Sequence, residues 1–427
     1  MDRSTSNLAF RNNIGLFWIS TAILVILAVF GVGLNGVAVG PFEVPPFILY
    51  LVVHAILMLA LMVARSEYIL DLPRPLLVLL LFGMYVLGSS FWAAAIVSAM
   101  KEMLLIFASI LTGLVVYWTV PDRGTLSKYI SVLKLLALGG VAIAVLEITM
   151  GTHLPMSKRY GTVSYYKATA WYVNENDFSM FLAMVSFLFF GEALSVDKLR
   201  DRMLGTVVFV ACLIILLQNG SRAALLAVFA VSILLLGVHF GRNKIRTLAS
   251  ERSRLPVFTL STLIGALAII GLALAISNPF EPQSSRSLWF RWRSLELGVF
   301  LLFETVVGSG VGSFSTQWGQ IAPPPDIGIN LHVGANAHNW FVTLVGEYGF
   351  VGTVLFLLAY GWTADGLLEQ YLRYRDPASL GLLGALLPFA LAGLGPSNPM
   401  ILQIQWIVFG LAIALMFRVP MSDVPDV

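Results

Sequence analysis

Apolar runs of about 20 residues recur along this chain, and they constrain its fold more than any other feature. A run of that length crosses a hydrocarbon core of about 30 Å as a helix, with its backbone N–H and C=O groups satisfied internally. Helices rather than a barrel are therefore expected to span. Only 11% of the 427 residues are charged and 58% are hydrophobic, whereas a soluble domain carries about 25% charged residues. The expected fold class is an all-α polytopic membrane protein, organised as one integral membrane domain over residues 1–427.

Hydropathy divides the chain into about 12 transmembrane helices. Their expected ranges are 14–37, 46–63, 76–87, 103–119, 130–147, 178–190, 204–217, 223–240, 256–277, 338–360, 380–394 and 401–417. Between the third and fourth, "GSSFWAAAIVSAMKE" reads either as a re-entrant piece or as one helix continuing. The first run is too long for a signal-peptide core and shows no small-residue cleavage site, so it is expected to be retained. Cys212, the single cysteine, lies inside an apolar run and supports neither a disulfide nor a thiolate metal cluster. A net charge of +3 is too small to suggest nucleic acid as a partner.

Lys and Arg in short connections mark the cytoplasmic side. "GRNKIRTLASERSR" (241–254), "DKLRDR" (197–202), "RYR" (373–375), Arg3 and Arg11 all fall on one side of a twelve-span arrangement. That side is expected to be cytoplasmic, with both termini there. The two longest opposite segments, 150–177 and 278–337, carry positive charge against the rule: Lys158, Arg159 and Lys167 in the first, Arg286, Arg291 and Arg293 in the second. Either these loops rest on anionic headgroups, or their cations serve a ligand.

In "LQNGSRAALLAV" (217–228), Asn219, Gly220 and Ser221 form a tight turn, with Ser221 placed to cap a helix starting at Arg222. An arginine there opposes the helix dipole, yet beside free backbone N–H groups it makes an anion site for which phosphate is the natural ligand. The plain alternative is an arginine snorkelling to the headgroups. "RSLWFRWRSLELGVFLLFE" (286–304) places Trp289, Trp292, Leu295, Val299 and Phe303 at helical spacing, as an amphipathic interfacial helix does. Its guanidiniums suit bidentate contact with a lipid diphosphate, or with bulk lipid. The Gly-, Ser- and Pro-rich stretch that follows cannot span, and its "GSGVGSF" (308–314) resembles a phosphate-cradling loop without the lysine or strand of a Walker motif. It is assigned no nucleotide role.

The stretch ends at "GANAHNW", where His338 stands between Asn336 and Asn339. An imidazole of ordinary pKa takes a proton from a hydroxyl near neutral pH, which suits a general base, and the two amides suit sugar hydroxyls or ring orientation. A capping or packed polar histidine is the alternative. Glu347 follows nine residues later, about half a circle round a regular helix, so it is not expected to be the direct partner of His338. A carboxylate that deep should face the bundle interior. Gly346, Gly349 and Gly352 read as a small-residue face for close helix contact. The five histidines, His54, His153, His239, His332 and His338, form no short ligand pair, so no metal and no cofactor are expected.

Four stretches together resemble the O-antigen ligase and polymerase superfamily of bacterial envelope glycosyltransferases: "NENDFSMFLAM" (174–184), "NGSRAALLA" (219–227), "RWRSLELGVFLLFETVVGSGVGSF" (291–314) and "AHNWFVTLVGEYGFVG" (337–352). The first five spans add only hydropathy. The resemblance implies about twelve helices in the bacterial inner membrane, with a large periplasmic loop, 278–337, between helices 9 and 10. It implies an undecaprenyl-diphosphate-linked glycan as donor and, for a ligase, lipid A-core as acceptor. Carried over by motif, His338 deprotonates the acceptor hydroxyl and Arg222 binds the diphosphate. Arg286, Arg291 and Arg293 match the family's basic loop by position only, and Arg159 and Lys167, with Lys158, are added from charge placement. One dominant loop favours a ligase over a polymerase that joins carrier-linked repeats. A secondary transporter is the rival of another class, but its long connection belongs near the middle of the chain and inside the cell.

Overall fold

The computed structural model describes residues 3–31, 37–39, 42–64, 72–162, 166–250, 300, 305–314, 340–392 and 399–419. Among them, seven helices are long and apolar enough to cross a membrane. These are α3 (Arg74–Ser89, continued by a short 3-10 turn), α4 (Ile96–Trp118), α5 (Arg123–Met150), α6 (Glu175–Ser195), α7 (Leu199–Asn219), α8 (Arg222–Ser250) and α9 (Trp340–Tyr374). Shorter apolar stretches lie in α1 (Arg3–Phe30), α2 (Pro46–Ala64), the pair α10 (Pro377–Leu386) and α11 (Pro388–Ala392), and α12 (Gln403–Phe417). The chain is thus a helical, multi-pass membrane protein. A hairpin of two three-residue strands, Val37–Val39 against Phe42–Val44, departs from the all-α expectation. The expected ninth span, 256–277, and the amphipathic helix over 286–304, apart from Phe300, lie outside the described residues.

Boundaries shift for local reasons. The first helix stops at Phe30, short of the expected residue 37, where the glycines of "GVGLNG" begin. Between α3 and α4 the backbone of Ala93 and Ala95 is extended, so these are two helices joined by a tight connection rather than one continuing helix. Pro388, which has no N–H to donate, separates α10 from α11.

Burial divides the helices into two classes. Every residue of α6 from Asp177 to Gly191 is buried, as is every residue of α12 from Gln403 to Leu415. Small residues allow their close contacts. A Cβ on Gly191 would come within 2.7 Å of the Gly381 amide, and one on Gly113 within 2.9 Å of the Trp406 carbonyl. By contrast α5, α7 and α8 turn Leu135, Val207 and Ile233 outward, as helices facing acyl chains do.

One end of the bundle gathers cations. Arg242 donates to the Leu372 and Arg373 carbonyls, Arg202 to Ala193 and Arg418 to Trp118, while Arg123 pairs with buried Asp376. These contacts join the end of α8 to that of α9, the end of α12 to that of α4, the end of α6 to the start of α7, and the start of α5 to that of α10. The opposite end carries residues 151–174 and 305–314.

Candidate active site

Two loops of that opposite end are each held by a buried carboxyl group. The glycine-rich loop, 305–314, is shaped by Gly308, Gly310 and Gly312, all at positive φ (78°, 91° and 69°). Space requires glycine as well: a Cβ on Gly310 would lie 2.7 Å from the Ser89 carbonyl, and one on Gly312 would lie 2.9 Å from the Ala99 amide.

The loop docks into a break in α9. Gly349 adopts φ 60° and ψ −161°, which interrupts the helix and frees the carbonyls before it. Ser309 donates its amide and its hydroxyl to the Gly346 carbonyl, both at 2.9 Å, and the Gly310 amide donates to Glu347 O at 2.9 Å. In return the Phe350 amide donates to Val306 O at 2.9 Å. Inside the turn the Glu347 carboxylate accepts the amides of Gly312 (3.0 Å) and Phe314 (3.1 Å). Glu347 is 2% exposed, and Glu102 of α4 sets a second carboxyl against it. From α3 and its 3-10 turn, Tyr85 donates to Val307 O (2.7 Å) and Trp92 to Gly308 O (3.2 Å).

"GSGVGSF" is therefore an amide cradle, and the carboxyl group in it is the chain's own Glu347. Backbone amides converging on a carboxylate make a nest of the kind that binds phosphate elsewhere. Gly349 meets this loop rather than a neighbouring helix, because a Cβ on it would strike the Gly308 amide and the Val306 carbonyl. Gly352 of the small-residue face does pack against a helix, with Tyr85 of α3 at 3.1 Å from its Cβ position.

The other loop, 151–174, is fixed by Glu147 in the last turn of α5. Its carboxylate accepts the amides of Thr169 (2.7 Å), Ala170 (2.9 Å) and Leu154 (3.3 Å), and His153 Nδ1 lies 3.5 Å from it. Ala170 sits at φ 45°, a left-handed conformation uncommon outside glycine, so these bonds hold a strained residue. Asn219 grips the same strand: its Oδ1 accepts the Ala168 amide at 2.7 Å, and its Nδ2 donates to Ala168 O at 3.1 Å and Ser179 Oγ at 3.2 Å. Burial beside Asp177 holds the Tyr172 hydroxyl well above its usual pKa, so the ring stays neutral in the aromatic group of Trp171, Phe178 and Phe181.

This grip brings the expected cations of two motifs to one rim. Gly220, at φ 64°, turns the chain out of α7, and Ser221 occupies the N-cap position, its carbonyl accepting the Leu225 amide at 3.0 Å. Arg222 then opens α8 with its side chain exposed and meets no acceptor among the described residues. Lys167 directly precedes the residue that Asn219 holds. Arg159 and Lys167 converge on one carboxylate, Glu175, with Arg159 Nη2 at 2.8 Å and Lys167 Nζ at 3.1 Å. Asn174 caps α6 by accepting the amides of Asn176 and Asp177. The rim thus keeps a net excess of positive charge, although two of its cations already share an anion.

His338, Asn336, Asn339, Arg286, Arg291 and Arg293 lie outside the described residues. The chain is described again from Trp340, whose indole donates to Ala390 O at 2.9 Å and stacks near Phe389. Sequence reasoning missed the roles of Glu147, Asn219 and Glu102. A signal existed for Glu147, an acidic residue at the carboxyl end of a helix, where the dipole disfavours it unless donors are supplied.

A family model described as O-antigen ligase matches residues 207–357, a segment that opens in α7, contains Arg222 and the glycine loop, and closes beyond the Gly349 break. The chain is also 22% identical over 350 residues to the teichuronic acid biosynthesis protein TuaE of Bacillus subtilis (strain 168), covering 77% of this chain and 69% of that protein. Both matches support glycan transfer of the O-antigen ligase/polymerase type. Together these two similarities support membership of the O-antigen ligase superfamily.

Proposed function

We propose that the chain is an O-antigen ligase-type glycosyltransferase, passing glycan from undecaprenyl diphosphate to lipid A-core at the periplasmic face of a bacterial inner membrane. About twelve spans, cytoplasmic termini and a large loop over 278–337 complete this reading. The observation that supports it most is the rim: Asn219 and exposed Arg222 lie in the segment matched by the ligase family, and the Asn219 grip on Ala168 joins them to the loop carrying Arg159 and Lys167.

The chemistry follows from charge. As the acceptor hydroxyl oxygen bonds to the anomeric carbon, the bond from that carbon to the diphosphate oxygen breaks, and negative charge gathers on the leaving undecaprenyl diphosphate. Arg222 stabilises it, with Arg286, Arg291 and Arg293 as further candidates from the loop, doing the electrostatic work a metal does in other transferases. His338 takes the hydroxyl proton. Asn336 and Asn339 orient the imidazole or hold sugar hydroxyls. Attack opposite the leaving group inverts the anomeric centre, and the products are the new glycoside and the free carrier diphosphate.

Similarity to a teichuronic acid biosynthesis protein favours a second reading in which carrier-linked repeats are joined to one another. Envelope analysis of a deletion strain separates the two. Uncapped lipid A-core with accumulated carrier-linked polymer is the ligase outcome, and single capped repeats are the polymerase outcome. Purified protein in proteoliposomes holding carrier-linked glycan and acceptor should form the joined product; glycan flux without a new glycosidic bond would sink both readings in favour of a transporter.

A further inference from the structure

At the end of the bundle opposite this site, α5, α6 and α10 enclose a cavity of about 220 Å³. Its polar lining is Arg123, Ser127, Lys134 and Glu192, and Ile130 and Leu188 are among its apolar walls. The α5 members recur at i, i+4, i+7 and i+11, so they lie along one helix face and extend about 16 Å from the helix start towards the apolar zone.

The charges are unevenly satisfied. Asp376 is fully buried and accepts the amides of Ala378 and Ser379, the Ser379 hydroxyl and Arg123 Nη2. The other terminal nitrogen of Arg123, Nη1, is buried with no hydrogen-bond partner. Deeper in, Lys134 pairs with Glu192 and lies 5.5 Å from the centre of the Phe189 ring. The cavity is therefore lined near the bundle end by Arg123, whose side chain stays 31% exposed while paired with Asp376, by a second cation further in, and by apolar walls. Its volume is below the roughly 300 Å³ at which pockets for whole drug-sized molecules begin. It matches a headgroup-sized fragment whose remainder lies outside.

We propose that this cavity binds the headgroup of an anionic phospholipid. The phosphate meets Arg123, whose planar fork suits phosphate oxygens. The acyl chains leave along α5 past Leu135 and Leu138, which are 67% and 41% exposed. Basic pockets between spanning helices recognise acidic lipids by the same means.

The test uses the full-length protein purified in detergent and offered phosphatidylglycerol or phosphatidylcholine, with bound lipid counted by native mass spectrometry. The parent should retain phosphatidylglycerol at least tenfold over phosphatidylcholine. Ser127→Trp fills the cavity while leaving both ion pairs in place, and should bring retention of phosphatidylglycerol down to the phosphatidylcholine level. Lys134→Gln, a gentler change, should lower it about threefold. Equal retention of the two lipids by the parent, or parent-like retention of phosphatidylglycerol by either variant with an unchanged unfolding midpoint, would overturn the proposal and leave a water-filled cavity. Displacement of the lipid by millimolar inorganic phosphate would equally overturn it, identifying a free-anion site.

Discussion

Glu147 and Glu347 do the same job at the same end of the molecule, and the difference between them separates frame from binding surface. Each is a buried carboxylate that accepts loop amides. Glu347 lies just before a helix break and serves a loop built on three left-handed glycines, packed under α3 and α4. Glu147 ends an unbroken helix and serves a loop whose strained residue is alanine, and that loop reaches solvent at Tyr166, 73% exposed. The first arrangement is closed on itself, its amide cradle already filled. The second leads outward to Lys167, Arg159 and Arg222. Only the second offers charge to a ligand.

Removing Glu347 should have the largest effect. In Glu347→Ala the amides of Gly312 and Phe314 lose their acceptor in a dry site, at ~1–3 kcal/mol each, or about 2–6 kcal/mol together. The unfolding midpoint in detergent should fall sharply, with Glu347→Gln recovering about half of the loss through its one remaining carbonyl. An unchanged midpoint would mean that the loop is not held by this residue.

Glu147→Ala should cost less, about 1–3 kcal/mol, because freeing the buried Thr169 and Ala170 amides also releases the left-handed strain at Ala170. Hydrogen exchange at Thr169 and Ala170 should speed up while exchange at residues 308–314 stays as in the parent. Equal change in both loops would erase the distinction drawn between them. Asn219→Ala, expected to cost about 1–2 kcal/mol through the lost pairing with Ala168, should raise the KM for the carrier-linked donor more than it lowers kcat, since the cations of the rim lose their common anchor. A drop in kcat alone would place Asn219 outside donor binding.

Glu175→Gln is the smallest in stability, about 0.2–1 kcal/mol for a partly exposed ion pair. It should nevertheless lower the donor KM, because it releases Arg159 and Lys167 from their shared carboxylate. A raised donor KM would show instead that Glu175 holds these cations in their binding positions.

Much of this molecule was legible in the sequence, and particular residues show where legibility stopped. Hydropathy locates helices because lipid and a protein interior both demand apolar side chains, and α6 and α12 follow from that alone. Gly220 and Arg222 were readable because a turn and a helix start have residue-type signatures. The target of "GSGVGSF" was not readable: its N–H groups could meet any acceptor, and Glu347 supplies one from 33 residues beyond Phe314. Gly346, Gly349 and Gly352 carry a period of three that reads alike for helix contact and for a helix break. The bonds of Glu147 and Asn219 go to backbone amides and carbonyls, which every residue possesses, so no pattern of side chains announces them.

The central claim is that the Arg222 rim and His338 together transfer glycan. Its most direct measurement is the single-turnover rate in proteoliposomes containing both lipids, for the parent, Arg222→Ala and His338→Ala, each with a parent-like unfolding midpoint. The account predicts that each variant falls by about 100-fold or more. Transfer at the parent rate by either folded variant would contradict it.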